Sequence, residues 1–143
     1  MLATIIPPGI VTGNSLQVAY YPDGDLVRLQ ALLGVINSLA FEFQLRSRLG
    51  TGHISLGSVR GVHVPDFDDV SFIRKVAKFS RRALTGDPSA EVEIEATIAD
   101  AFSLSQTERD ALVNHFAGLP AEFSDKLRRA LKIDASNGYE RTR

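Results

Sequence analysis

The chain contains no cysteine. That excludes a disulfide framework, a thiolate zinc site and a cysteine nucleophile, and it fits a reducing cytoplasm. No apolar run approaches the ~20 residues of a membrane span. The opening Met1-Leu2-Ala3-Thr4-Ile5-Ile6-Pro7-Pro8 has neither the basic start nor the long apolar stretch of a signal peptide. A cytoplasmic location is therefore expected. Glycine-rich phosphate loops and strand-following Gly-x-Gly-x-x-Gly turns are missing. His53, His63 and His115 have no local partner at metal-ligand spacing. Ser15, Ser38 and Ser55 stand outside any nucleophile-elbow context. Glu91, Glu93 and Glu95 alternate, so a helix spreads them around its surface. No catalytic residue and no metal site is expected in this chain.

What is present is ordinary in bulk. At 143 residues, with 44% hydrophobic and 23% charged side chains, the chain suits one domain with one sizeable core. Net charge is -1 and the pI is about 6.3, which is not the basic footprint of a free-standing DNA binder. The distribution says more. Gln44 to Arg82 holds Arg46, Arg48, Arg60, Arg74, Lys75, Lys78, Arg81 and Arg82 against Asp66, Asp68 and Asp69. Gly86 to Asp110 holds seven acids against Arg109 alone. Two solvated helix faces account for this pattern, and so does a polyanion-facing surface with an acidic segment behind it.

Along the chain, Ala3–Ile6 and Leu16–Tyr20 read as strands around a Gly13-Asn14-Ser15 turn. Asp25 is a candidate N-cap. Leu29, Leu32, Leu33, Ile36, Leu39, Ala40 and Phe43 fall at helical spacing, which predicts one long helix from about Leu26 to Leu49, closed by Gly50. Val62-His63-Val64 reads as a short strand ended by Pro65. Four helices follow: from Asp69 or Ser71 to Leu84, Glu91 to Phe102, a capping box at Ser105–Glu108 running to Phe116, and Pro120 to Ile133. The expected fold class is α+β: a small, mostly antiparallel sheet packed on the long helix, followed by a helical subdomain. The expected parts are a recognition part over 1–67, the helical subdomain over 68–134 and a flexible tail over 135–143, within one compact domain.

The ordered set Leu32 to Asn37-Ser38, Gly50-Thr51-Gly52 and Val62 to Pro65 resembles the C-terminal target-recognition region of bacterial adenine-specific DNA methyltransferases from type II restriction-modification systems. It is more distantly similar to type I specificity subunits. Glu95 to Ser105 and the opening Ile5 to Leu16 extend the resemblance over roughly residues 3–119. The catalytic half of that family, with its cofactor-binding strand and its Asp/Asn-Pro-Pro-aromatic motif, is missing; Pro7-Pro8 follows Ile6 and is not that motif. The resemblance implies a non-catalytic DNA-recognition part, whose partners are double-stranded DNA and a methyltransferase catalytic domain or subunit. It implies no cofactor in this chain, with S-adenosylmethionine belonging to the missing half. Candidate DNA contacts are Arg46, Arg48, Thr51, His53, Ser55 and Arg60 at the helix end and its loop, Asn14 and Ser15 in the turn, and Arg81 and Arg82 as phosphate contacts. Asn37 either bonds backbone or a neighbouring element, or contacts a base. The alternative function is an assembly domain that docks onto a catalytic methyltransferase or endonuclease partner.

Overall fold

The computed structural model describes residues 3–12, 18–49 and 54–133. Among them there are seven helices and no strand: α1 (Leu26–Ile36), α2 (Leu39–Arg48), α3 (Leu56–Arg60), α4 (Val70–Leu84), α5 (Pro88–Ala101), α6 (Gln106–His115) and α7 (Ala121–Ala130). The expected sheet is not formed, and the architecture is helical rather than α+β. The tail over 135–143, Gly50 and the residues Asn14, Ser15, Thr51 and His53 lie outside the described residues.

The reason lies in who pairs with the extended segments. A strand needs a neighbour for its backbone groups, and isolated pairs are marginal in water. Here helix side chains take that place. Ala3 N–H donates to Asn37 Oδ1 at 2.8 Å, and Asn37 Nδ2 donates back to the Ala3 carbonyl at 3.0 Å. His63 N–H donates to Gln44 Oε1 at 3.0 Å, and Gln44 Nε2 donates to the His63 carbonyl at 3.1 Å. Each carboxamide imitates one rung of a β ladder. Ala3–Ile6, Val18–Tyr20 and Val62–Val64 stay irregular.

The long helix expected over Leu26 to Leu49 is two helices, bent by 63° at Asn37-Ser38. The apolar spacing continues across the break, so periodicity does not reveal it. Capping chemistry does. Ser38 is fully buried, its hydroxyl donates to the Val35 carbonyl at 2.8 Å, and its Oγ accepts the Phe41 N–H at 3.3 Å. Serine and asparagine compete with helical hydrogen bonds in this way. A third group completes the start of α2: Glu95 Oε1, from α5, accepts the Leu39 N–H at 2.9 Å. No single helix among the described residues is long and apolar enough to cross a membrane.

The main core joins α1, α2, α4 and α5 through Ala31, Val35, Phe41, Leu45, Phe72, Val76, Phe79, Ile94 and Ile98. It draws on residues from both sides of position 67. A second cluster, Ala99, Val113, Leu127 and Leu131, seats α6 and α7 on the far side of α5. Buried side chains therefore appear on two faces of α5, from Ala90 and Ile94 round to Thr97 and Ala99.

Three helices end in a left-handed residue with a returning hydrogen bond: Gly86 after α4, Ser103 after α5 and Lys132 after α7. Only Gly86 is free of the Cβ penalty there, roughly 1–2 kcal/mol for other residues. Ser103→Gly and Lys132→Gly are each expected to stabilise the fold by about 0.5–1 kcal/mol, after the entropy of glycine is subtracted. Thermal unfolding checks this; a lower midpoint in both variants counts against the assigned backbone geometry.

Candidate nucleic-acid interface

The basic segment occupies three helix surfaces. Helix α2 ends with Arg46 and Arg48, and these were expected to act together. Two residues along a helix amount to about 200° of rotation, so they point to opposite sides. Arg46 turns towards α6. Its Nε lies 2.7 Å from Glu42 Oε1, and its guanidinium sits 5.4 Å from the centre of the Phe116 ring. Phe43 and Phe116 both meet His115 edge-on, at 4.9 and 5.0 Å between ring centres. Arg46 thus belongs to an aromatic junction that holds α6 against α2, a role the sequence did not disclose.

Arg48 turns towards α3. A Cβ placed on Gly61 would lie 3.0 Å from Arg48 Nη1, so the guanidinium covers the glycine that ends α3. Arg48 is exposed and has no ion-pair partner among the described residues. Arg60, the last residue of α3, is likewise exposed and unpaired there. Ser55 caps α3: its Oγ accepts the Ser58 N–H at 3.0 Å and shares a 2.9 Å hydrogen bond with Ser58 Oγ. Its first duty is structural. Thr51 and His53, between these helices in sequence, lie outside the described residues, as do Asn14 and Ser15.

Helix α4 separates Arg81 from Arg82. Arg82 is committed to the α4–α5 turn. Its Nη2 lies 2.7 Å from Asp87 Oδ2, it donates to Ser89 Oγ at 3.1 Å, and its guanidinium covers the Phe79 ring at 5.7 Å. Hydrogen bonds from Ser89 and Arg82 hold the Asp87 carboxyl down at about 2. Arg82 is therefore a turn clamp and not an open phosphate contact. Arg81 is exposed and unpaired among the described residues. It shares the outer face of α4 with Arg74, Lys75 and Lys78, all exposed. Phe72, Ile73, Val76, Ala77 and Phe79 face inward. Arg74, Lys78 and Arg81 follow i, i+4, i+7 spacing over roughly 10 Å of helix axis. That spacing is readable in the sequence, where Arg74, Lys78, Arg81 and Arg82 read together either as a solvated face or as phosphate contacts.

Pairing separates these cations from the rest. Of the eight cations between Gln44 and Arg82, only Arg46 and Arg82 form ion pairs among the described residues. Outside that segment, Arg28, Arg109, Lys126 and Arg128 each hold an acid at 3.5 Å or less. No group of three or more His, Asp or Glu side chains among the described residues could hold a metal ion. Comparison with protein-family models, curated proteins and solved structures finds no match.

Proposed function

We propose that the chain binds double-stranded DNA as the specificity part of a restriction-modification adenine methyltransferase. A separate catalytic domain or subunit supplies S-adenosylmethionine and the methyl transfer. The observation that carries this reading is the cation set Arg48, Arg60, Arg74, Lys75, Lys78 and Arg81, none of which forms an ion pair among the described residues, whereas Arg28, Arg46, Arg82, Arg109, Lys126 and Arg128 each hold an acid. A cation left without an internal partner is free to displace the counterions of a polyanion. The sequence resemblance narrows the polyanion to DNA. The outer face of α4 makes the phosphate contacts, and Arg48 and Arg60, beside the 50–53 segment, are the candidates for base edges. The net charge of -1 means that affinity from this chain alone is modest and falls with salt.

The test is fluorescence anisotropy on a short duplex across a salt series. Lys78→Glu combined with Arg81→Ala is expected to weaken binding on every sequence by tenfold or more. It should also flatten the salt dependence, since each lost phosphate contact removes about 0.9 from the log–log slope. Arg48→Ala, tested with the catalytic partner present, is expected to narrow the preference for cognate over scrambled duplex, because one good base contact discriminates by roughly 1–3 kcal/mol. Unchanged affinity and slope in the α4 double variant would remove the DNA reading.

A further inference from the structure

Gly61 has no conformational need to be a glycine. It ends α3 at φ -80° and ψ -9°, right-handed backbone that any residue adopts. A glycine at a helix end is ordinarily explained by left-handed backbone, as at Gly86. That explanation fails here, so the missing side chain needs a steric reason. A Cβ on Gly61 would lie 3.0 Å from Arg48 Nη1, 3.5 Å from the Gly57 carbonyl oxygen and 3.6 Å from Arg48 Cζ. Only the first is tighter than ordinary van der Waals contact. The glycine is bare where the arginine lies over it.

The seat is held in place from the same helix as the arginine. Gln44 and Arg48 are four residues apart on α2, one turn and about 6 Å along one face. Gln44 takes both backbone groups of His63, accepting its N–H at 3.0 Å and donating to its carbonyl at 3.1 Å. Gly61 stands two residues before His63, and its own N–H donates to the Gly57 carbonyl at 3.1 Å. The glycine is thus tied to α3 on one side and, through His63, to α2 on the other. No ion pair among the described residues engages Arg48, so its donors stay open while its guanidinium rests on the glycine.

We propose that Gly61 is a positioning residue, whose bare Cα seats the Arg48 guanidinium and presents it, already oriented, to a base edge of bound DNA. The ligand in this inference rests on the DNA reading; the seat rests on the geometry of α2 and α3. Arginine reads guanine through two parallel hydrogen bonds to O6 and N7, which need the planar group in one orientation. A long side chain ordered before binding has less freedom to lose on contact.

NMR relaxation of the arginine Nε–H groups in the free chain tests the seat. Arg48 is expected to show a higher order parameter than Arg60 and Arg81, which are exposed and without ion pairs among the described residues. Gly61→Ala displaces the guanidinium by about a few tenths of an ångström and Gly61→Leu takes its place. The Arg48 order parameter should fall in that sequence, reaching the level of Arg60 in the leucine variant. The backbone is unstrained for alanine, so its helical circular dichroism and thermal midpoint should hold, which separates a lost seat from lost folding. An Arg48 as mobile as Arg60 in wild type, or unmoved by Gly61→Leu, overturns the proposal. On DNA, the chain is offered short duplexes with randomised centres at low salt. Gly61→Leu and Arg48→Ala should each weaken the sequence preference enriched by wild type about tenfold, within the range of one bidentate contact. The double variant should lose no more than either alone. Losses that add in the double variant overturn the proposal, because Gly61 then acts by a route other than Arg48. Duplex bound with no preference also overturns it and leaves the phosphate contacts of α4 standing. Wild-type protein that binds no duplex at any salt sinks the DNA reading instead, and the order parameters, taken without DNA, still decide the seat.

Discussion

Raising the pH from 5 to 8.5 is expected to lower the urea midpoint of unfolding, and Glu95→Gln is expected to remove most of that loss. Glu95 reaches from α5 to the start of α2, where it accepts the Leu39 N–H at 2.9 Å. Burial pushes its carboxyl from 4.5 up to about 8; the bond to Leu39 opposes the rise and the neighbouring Glu91 adds to it. In the unfolded chain the group ionises near its ordinary value. The folded protein therefore binds one more proton than the unfolded one between these two values. The stability from this group is complete below pH 4.5 and is lost as the pH rises through 8. The integrated loss is on the order of 4 kcal/mol. Glutamine keeps an acceptor for Leu39 and has no proton to lose. Its midpoint should be nearly level over the window and above wild type at pH 8.5. Asp87 acts in the other direction and in another range: held at about 2, it contributes stability that is lost only as the pH falls through that value. A wild-type midpoint that does not change between pH 5 and 8.5 would show that Glu95 ionises freely in the folded state.

Filling the α1–α4 contact should be as damaging. A Cβ on Gly34 would lie 2.5 Å from Ser80 Oγ and 2.7 Å from Val76 Cγ1. Both neighbours are buried, Val76 completely. Alanine ordinarily favours a helix over glycine by about 1 kcal/mol, but overpacking a tight core costs about 1–3 kcal/mol. The steric term prevails at these distances. Gly34→Ala is expected to destabilise by about 1–2 kcal/mol and Gly34→Val by about 3 kcal/mol or more. Ser80 Oγ is buried with no hydrogen-bond partner among the described residues, so Ser80→Ala alone should be neutral or stabilising. It should also relieve part of the Gly34→Ala loss, giving a coupling of roughly 0.5–3 kcal/mol in a double-mutant cycle. Equilibrium denaturation of the four proteins reads this directly. A Gly34→Ala variant more stable than wild type would mean that the helices separate at little cost.

Short-range chemistry was legible in the sequence and long-range pairing was not. Asp25, Asp69 and the Ser105–Glu108 capping box start helices where their side chains predict. Those signals involve groups three residues apart or fewer. The sheet was misread because β-branched runs announce an extended backbone without saying what will pair with it. The partners turned out to be Asn37, 34 residues from Ala3, and Gln44, 19 residues from His63. The break at Asn37-Ser38 was hidden by apolar spacing that fits a straight helix equally well. In the candidate interface, the basic excess after Gln44 was visible in composition. Its division was not: Arg46 goes to Phe116 and Arg82 to Asp87, and both partners depend on how later helices fold back. The basic face of α4 was legible from spacing, since Arg74, Lys78 and Arg81 alternate with an apolar stripe that must face inward; the diversion of Arg82 to Asp87 was not.

The clasp at Asn37 also bears on how the protein ages. Asparagine followed by serine is a short, unhindered pair of the kind that deamidates, by attack of the next backbone nitrogen on the side-chain carbonyl. That nitrogen belongs to Ser38, which is fully buried and donates its N–H to the Val35 carbonyl at 3.2 Å. Both ends of the Asn37 amide are held by Ala3. The cyclic imide needs all of these bonds to open together, so the site is slow to react while the fold is intact. Once the reaction has happened, the aspartate still accepts the Ala3 N–H but faces the Ala3 carbonyl with acceptor against acceptor, so one of the two bonds of the clasp is replaced by a repulsion. Storage in partly unfolding conditions should therefore produce a mass gain of about 1 Da at Asn37, accompanied by a looser hold on Ala3.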